Sequence, residues 1–200
     1  MEADVREKLI NAGEKLFARK GLAGVSIREV STAAGTNSAL ISYYFGGKEG
    51  LYSAVLETQF SPIGVILDSM AGSKASAVEK IVEYARHVAN VHRTQPFLTK
   101  FLMGEILNPS RFFEAIIRKY IERVYCFLTD TIKAGIAAGE LRPDLDVPAA
   151  ALALAGMMNF YFISRPISQN FVAGGTAQDA QYVVQAVEIF LNGVKRHDRQ

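Results

Sequence analysis

Apolar residues recur along nearly the whole chain at steps of three and four, and no run alternates as a half-buried strand does. Val5, Leu9, Ala12 and Leu16, flanked by Ile10 and Phe17, make one helical stripe that Gly21 stops. In "SIREVSTAAG", Ser26 is followed three residues later by Glu29. That spacing is a capping box: the serine hydroxyl takes a first-turn N–H, and the carboxylate reaches back to the serine N–H. Ile27, Val30 and Ala34 are the buried stripe of this short helix, and Gly35 ends it. Thr36 and Asn37 alone separate it from the next helix, predicted over 38–45 with Asn37 as N-cap. Two short helices joined by a tight glycine turn form a helix-turn-helix.

From Lys48 the period resumes with Leu51, Tyr52, Val55 and Leu56, and Pro62 and Gly64 mark where this helix kinks or ends. Further helices are expected at about 75–93, 95–107, 111–138, 147–164 and 177–196. The fold class is therefore all-α. The expected division is a helix-turn-helix domain over 1–60 and a helical bundle over 61–200.

The helix over 38–45 divides into two faces at about 100° per residue. Ile41, Tyr44 and Phe45 point one way as core, with Leu40 at the border; Ser38, Ala39, Ser42 and Tyr43 point the other. A thin face of Ser and Ala lets a helix sink into a groove, and a flanking Tyr hydroxyl can donate to a phosphate oxygen. Gly46-Gly47 then places Lys48 in the first turn of the following helix, where an anion is already favoured. A solvated surface helix is the alternative for each feature taken singly; their order along the chain favours nucleic acid.

Bulk charge gives no such hint. Net charge is +2, and the Lys/Arg and Asp/Glu of the first 60 residues balance, so recognition must rest on placement. One cysteine, Cys126, excludes an internal disulfide framework and fits a reducing compartment. The N-terminus is charged from the start and carries no apolar signal core. "VPAAALALAGMMNFYFI", over 147–163, is short for a membrane span and is interrupted by Asn159, so it reads as a buried helix. A cytoplasmic protein without membrane attachment is expected.

The stretch "LFARKGLAGVSIREVSTAAGTNSALISYYFGGKEGLYSAVL" resembles the N-terminal domain of TetR-family transcription regulators. The similarity covers most of 5–56, and "AGIAAGELRPDLDVPAAALALAG" resembles the passage into such proteins' first dimerisation helix. The resemblance implies a homodimer that binds an inverted-repeat operator in double-stranded DNA, with the third helix of each subunit in a major groove. It implies a small-molecule effector inside the C-terminal bundle. It assigns Ser26 and Lys48 to the DNA backbone, Tyr43 or Tyr44 to a phosphate, and Arg28 with Ser38, Ala39 and Leu40 to base reading; Asn37 and Ser42 complete the DNA-facing set. Ser42 stands where many members have tyrosine, and Gly47 where a capping Ser or Asn is usual. The exposed face of the third helix has no Arg, Lys, Asn or Gln, so it cannot make bidentate base contacts. Arg28 is therefore expected to supply the strongest base contact, and salt dependence to be shallow.

The middle of the chain is rich in Phe and Met, which suit either core or a largely apolar effector pocket. Tyr84, His87, Phe101, Tyr120, Phe127 and Met158 are the candidate pocket residues. Leu154, Met158 and Tyr161 on one late helix, and Tyr182, Ala186, Ile189 and Phe190 on the next, are the candidate dimer interface, with ordinary monomer core as the alternative. No catalytic motif of the common hydrolase, protease or nucleotide-binding types is present, and His87 and His92 are not spaced as a metal pair. Neither an enzyme nor a cofactor is expected. The second reading is a helical ligand-binding or scaffold protein that has lost DNA binding.

Overall fold

The computed structural model describes residues 2–168, 170–171 and 175–195. His197, expected in a polar tail, and part of the "FVAGGTAQ" loop lie outside them. The described residues form helices α1 (Glu2–Lys20), α2 (Ile27–Ala34), α3 (Ala39–Phe45), α4 (Lys48–Ala71), α5 (Ala77–Thr94), α6 (Leu98–Leu107), α7 (Arg118–Ala137), α8 (Val147–Ile163), α9 (Arg165–Ser168) and α10 (Thr176–Val194). One π-helical turn, Phe113–Ile117, leads into α7.

Local chemistry explains the boundaries. Gly35, at φ 64°, gives α2 a left-handed C-cap, and its N–H bonds the carbonyls of Ser31 and Thr32. Asp146 caps α8 by accepting the Ala149 N–H at 3.0 Å, with Pro148 in the first turn. Ser76 and Glu79 exchange the same pair of bonds as Ser26 and Glu29, at 3.2 and 2.8 Å. This second S-x-x-E signature, unused in the sequence reading, sets the start of α5. Pro62 does not end α4, which runs unbroken from Lys48 to Ala71.

Backbone contacts divide the chain into two compact units, and the division does not follow chain order. The first unit is 1–62 with 95–120, and the second is 63–94 with 121–200. The expected boundary at residue 60 falls close to Pro62, but residues 95–120 join the N-terminal unit. In that unit Tyr52 explains the grouping. Its ring meets Phe17, Phe101 and Phe112 edge-on at 5.1, 6.1 and 5.2 Å, and its hydroxyl donates to Glu105 at 2.8 Å. The buried Glu105 carboxylate is completed by the Ser110 N–H and hydroxyl, at 3.1 and 2.7 Å.

The second unit has its own core, built from Ile81, Tyr84, Leu128, Ile132, Leu154, Met158 and Phe190 among others. Within it Tyr161 stacks on Tyr182 at 4.1 Å and donates to Asp179 at 2.9 Å, which also pairs with Arg165 at 3.1 Å. His92 stacks on Phe162 at 4.3 Å, and its Nε2 meets Asn159 Oδ1 at 3.0 Å.

That packing corrects the expected dimer face. Leu154, Met158, Tyr161, Ala186 and Phe190 are buried inside the monomer, and Tyr182 bonds the Met157 carbonyl at 2.5 Å. Of the expected set only Ile189 is exposed, at 67 %. The apolar residues turned to solvent on α8 and α10 are instead Leu152, Phe160, Val184 and Ile189. Both faces of α8 are apolar, so helical spacing alone could not say which one is internal.

Candidate nucleic-acid interface

The capping box is formed as expected, and it uses the Ser26 side chain fully. Ser26 Oγ accepts from the Glu29 N–H at 3.2 Å and donates to Glu29 Oε2 at 3.0 Å. The Ser26 N–H donates to the same carboxylate oxygen at 2.8 Å, and Lys20 reaches Oε1 at 2.7 Å. The Lys20 bond first, then the Ser26 N–H and hydroxyl, hold the Glu29 carboxyl down at about 2. The hydroxyl proton of Ser26 is therefore committed within the protein, which leaves only an acceptor lone pair for a DNA partner. Two residues further on, Arg28 is exposed, and its guanidinium has no hydrogen bond or ion pair among the described residues.

The α2–α3 turn is tight. Thr36 N–H bonds the Ser31 carbonyl at 2.9 Å, and Asn37 Oδ1 accepts the Ala39 N–H at 2.9 Å. The helix begins one residue later than expected, so Ser38 holds the N-cap position while Asn37 supplies the side-chain bond. The helical division of α3 holds at its centre: Ile41 is fully buried, whereas Ala39, Ser42 and Tyr43 are exposed, Tyr43 at 73 %. Ser38 and Leu40 are half-buried. Tyr44 and Phe45, expected as core, are also only half-buried. Tyr44 packs edge-on between Tyr43 (4.9 Å) and Phe45 (6.3 Å), and the Arg6 guanidinium lies 5.3 Å over the Phe45 ring. Arg6 was not singled out from sequence, because nothing in a first-helix arginine signals an aromatic partner 39 residues away.

The glycines after α3 have separate reasons. Gly46 and Gly47 adopt φ 71° and 123°, a region that residues with a Cβ rarely enter. A Cβ on Gly50, in the first turn of α4, would stand 1.7 Å from the Phe45 carbonyl oxygen. Lys48 then has a role the sequence did not disclose. Its ammonium turns to its own domain and donates to the carbonyls of Leu22 and Val25, each at 3.0 Å. It ties the α1–α2 loop to the start of α4, with one of its three N–H groups left over.

The six candidate effector residues are divided between the two units. Phe101 and Tyr120 belong to the N-terminal unit, where Phe101 packs on Tyr52 and Tyr120 stacks on Phe60 at 6.0 Å and donates to Glu57 at 2.8 Å. In the second unit Tyr84 is buried beside Phe127, Met158 is core, and His87 sits at the surface 3.5 Å from Glu83. Similar Phe, Tyr and Met side chains serve as core in both units, so residue type could not separate pocket from packing. Among the described residues no helix is long and apolar enough to cross a membrane.

Comparison with known proteins agrees with this geometry. Residues 9–55 match the family described as bacterial regulatory proteins, tetR family. Residues 76–193, more than half of the chain, match the C-terminal domain of the HTH-type transcriptional dual regulator CecR. The HTH-type transcriptional repressor NicS of Pseudomonas putida is 26 % identical over 96 % of this chain and 92 % of its own. The repressor SCO4008 of Streptomyces coelicolor is 22 % identical over 86 % and 85 %. The ketosteroid transcriptional regulator KstR2 of Mycobacterium tuberculosis superposes with a TM-score of 0.77 at 21 % identity, over 96 % of this chain and 95 % of that one. A TetR regulator from Chloroflexus aurantiacus superposes at 0.76 with 17 % identity, over 98 % of both. With a capped helix-turn-helix in its N-terminal unit and family matches across both parts of its length, the chain belongs to the tetR family of DNA-binding transcriptional regulators.

Proposed function

We propose that this protein is a repressor that binds an inverted-repeat operator in the cytoplasm as a homodimer and leaves it when a small-molecule effector occupies the C-terminal unit. The observation that carries the reading is α3: Ile41 anchors its inner side, while Ala39, Ser42 and Tyr43 form a thin, exposed outer side, and the exposed Arg28 guanidinium on α2 is unpaired among the described residues. Such a helix enters a major groove closely. Arg28 makes the strongest base contact, Tyr43 donates to a phosphate, and Ser38, Ala39, Leu40 and Ser42 supply contacts to base edges and thymine methyls. The relatives named repressors lend the sign of regulation.

The two-fold partner is met by the exposed large apolar residues of α8 and α10, Leu152, Phe160, Val184 and Ile189, which two helices in contact with each other leave in solvent. The operator half-sites then lie about 34–36 Å apart. Effector and operator weaken each other by the same factor, as linkage requires.

Selection of random DNA duplexes on the purified protein, with Arg28→Ala in parallel, tests the reading. An enriched inverted repeat that loses sequence preference with Arg28→Ala is expected. No enrichment by a folded dimer would favour the ligand-binding scaffold instead.

A further inference from the structure

The C-terminal unit contains an open pocket of about 430 Å³ beside the last turn of α4, the first turn of α5 and the middle of α7. Its volume is in the range of small-molecule sites. Short side chains create the space: Ala71, Ala75, Ala77 and Ala134 line it, with Leu67 and Phe127 giving it larger apolar surface. Sequence reading pointed to Phe127 alone among these, because alanines carry no signal of a cavity.

The charged groups of this pocket balance, Lys80 and Arg123 against Asp68 and Asp130, but they are not equally paired. Arg123 is paired with Asp68 at 2.5 Å and bonds the Gly64 carbonyl at 3.1 Å, and Asp130 stands 3.9 Å from Lys133. The ammonium of Lys80, half-buried on α5, has no carboxylate or hydrogen-bond partner among the described residues. Thr131, 5 % exposed on α7, lines the same pocket, and its hydroxyl has no hydrogen-bond partner there. The start of α5 is not the anion site, since the N–H groups of Ala77 and Val78 are taken by the Glu140 carboxylate at 3.4 and 3.1 Å, and that of Glu79 by Ser76. A half-buried ammonium and the hydroxyl of Thr131 thus remain over an apolar floor, each without a partner among the described residues.

We infer that this pocket binds a compact apolar monocarboxylate, with the carboxylate on Lys80 and Thr131 and the apolar body against Leu67, Phe127 and the alanines. The assignment rests on the effector reading above and names the ligand class for it. A bidentate phosphate clamp is disfavoured, because Arg123 is already held by Asp68 and Gly64.

Cys126 supplies the readout. It is the one cysteine of the chain, it is exposed, and it lines the pocket. Its rate of alkylation by neutral iodoacetamide is to be measured in the full-length protein with sodium octanoate or sodium benzoate. Octan-1-ol and benzyl alcohol serve as the uncharged counterparts, and the two acids separate an aliphatic from an aromatic source. At least one acid should halve the rate at a concentration tenfold or more below that of its alcohol. Lys80→Met should erase that advantage without changing the melting temperature, and Lys74→Met, in the loop before α5, should keep it. Equal protection by acid and alcohol, no protection by either acid, or an advantage that survives Lys80→Met would overturn the inference. Operator binding is to be measured separately without acid: its absence beside intact protection sinks the regulator reading alone, and its presence without protection sinks the pocket alone.

Discussion

Replacing Lys48 with alanine should destabilise the protein before any DNA is added. The ammonium makes two charge-assisted hydrogen bonds at 3.0 Å, to Leu22 and Val25, and Val25 itself is buried. Such bonds contribute about 1.5–3 kcal/mol, and carbonyls left without a donor cost about as much where water cannot replace it. Water reaches the half-buried Lys48 site and can replace part of what is lost, so the pair together contributes less than two such bonds in full, about 2 kcal/mol. For a chain of this size that lowers the melting temperature by roughly 4–8 °C. Lys48→Met, which keeps most of the apolar stem, should lose nearly as much, because the lost term is the donor. Thermal unfolding followed by circular dichroism measures both variants. A melting point within a degree of the wild type for Lys48→Ala would refute the anchoring role. The same variants decide the DNA role. If the remaining N–H neutralises one phosphate in each subunit, the slope of log K against log salt falls by about 1.8 in the dimer. A drop in affinity with an unchanged slope would mean that Lys48 acts on DNA only by holding the α1–α2 loop.

Three further outcomes are expected. Gly50→Ala places a methyl 1.7 Å from the Phe45 carbonyl oxygen, so the α3–α4 junction must shift by more than an ångström. It should cost about 3 kcal/mol in denaturant unfolding and weaken operator binding, and wild-type behaviour in both would show that the junction yields freely. Ile189→Glu, on the exposed side of α10, should turn a dimer into a folded monomer on size-exclusion chromatography with light scattering, whereas an unchanged dimer would place the interface elsewhere. The burial of His92, only partly offset by Asn159, lowers its pKa from the ordinary 6.5. The unfolded chain therefore takes up that proton first, and the stability contributed by neutral His92 is complete above pH 6.5 and lost as pH falls from there towards the folded value. His92→Gln should flatten chemical-denaturation stability across that window, and an unaltered pH slope would contradict the assignment.

The helices, the capping box and the helix-turn-helix were legible in sequence because each depends on residues within about four positions of one another. Ile27–Ala34 needs only Ser26, Glu29 and Gly35, and the contrast between Ile41 and Ser42 is enough to turn α3 the right way. The family resemblance also rests on these short-range features, clustered in the first 56 residues. What sequence left open depends on contacts distant along the chain. The Lys48 ammonium reads as a free charge until the carbonyls of Leu22 and Val25, 26 and 23 residues back, are placed around it. The Ser26 hydroxyl reads as a free donor until Glu29 Oε2 is placed to accept from it. Residues 95–120 read as part of the bundle until Phe101, Glu105 and Phe112 close around Tyr52. On α8, Leu152, Leu154, Met158 and Phe160 are equally apolar, so no hydrophobic contrast marks an inner side. Only packing against α5 and α10 buries Leu154 and Met158 and leaves Leu152 and Phe160 at 67 % and 66 % exposure. Sequence by itself determined where the helices form, because hydrogen bonding and periodicity are local; tertiary structure alone decided which side chains meet, because burial is a property of what arrives from elsewhere in the chain.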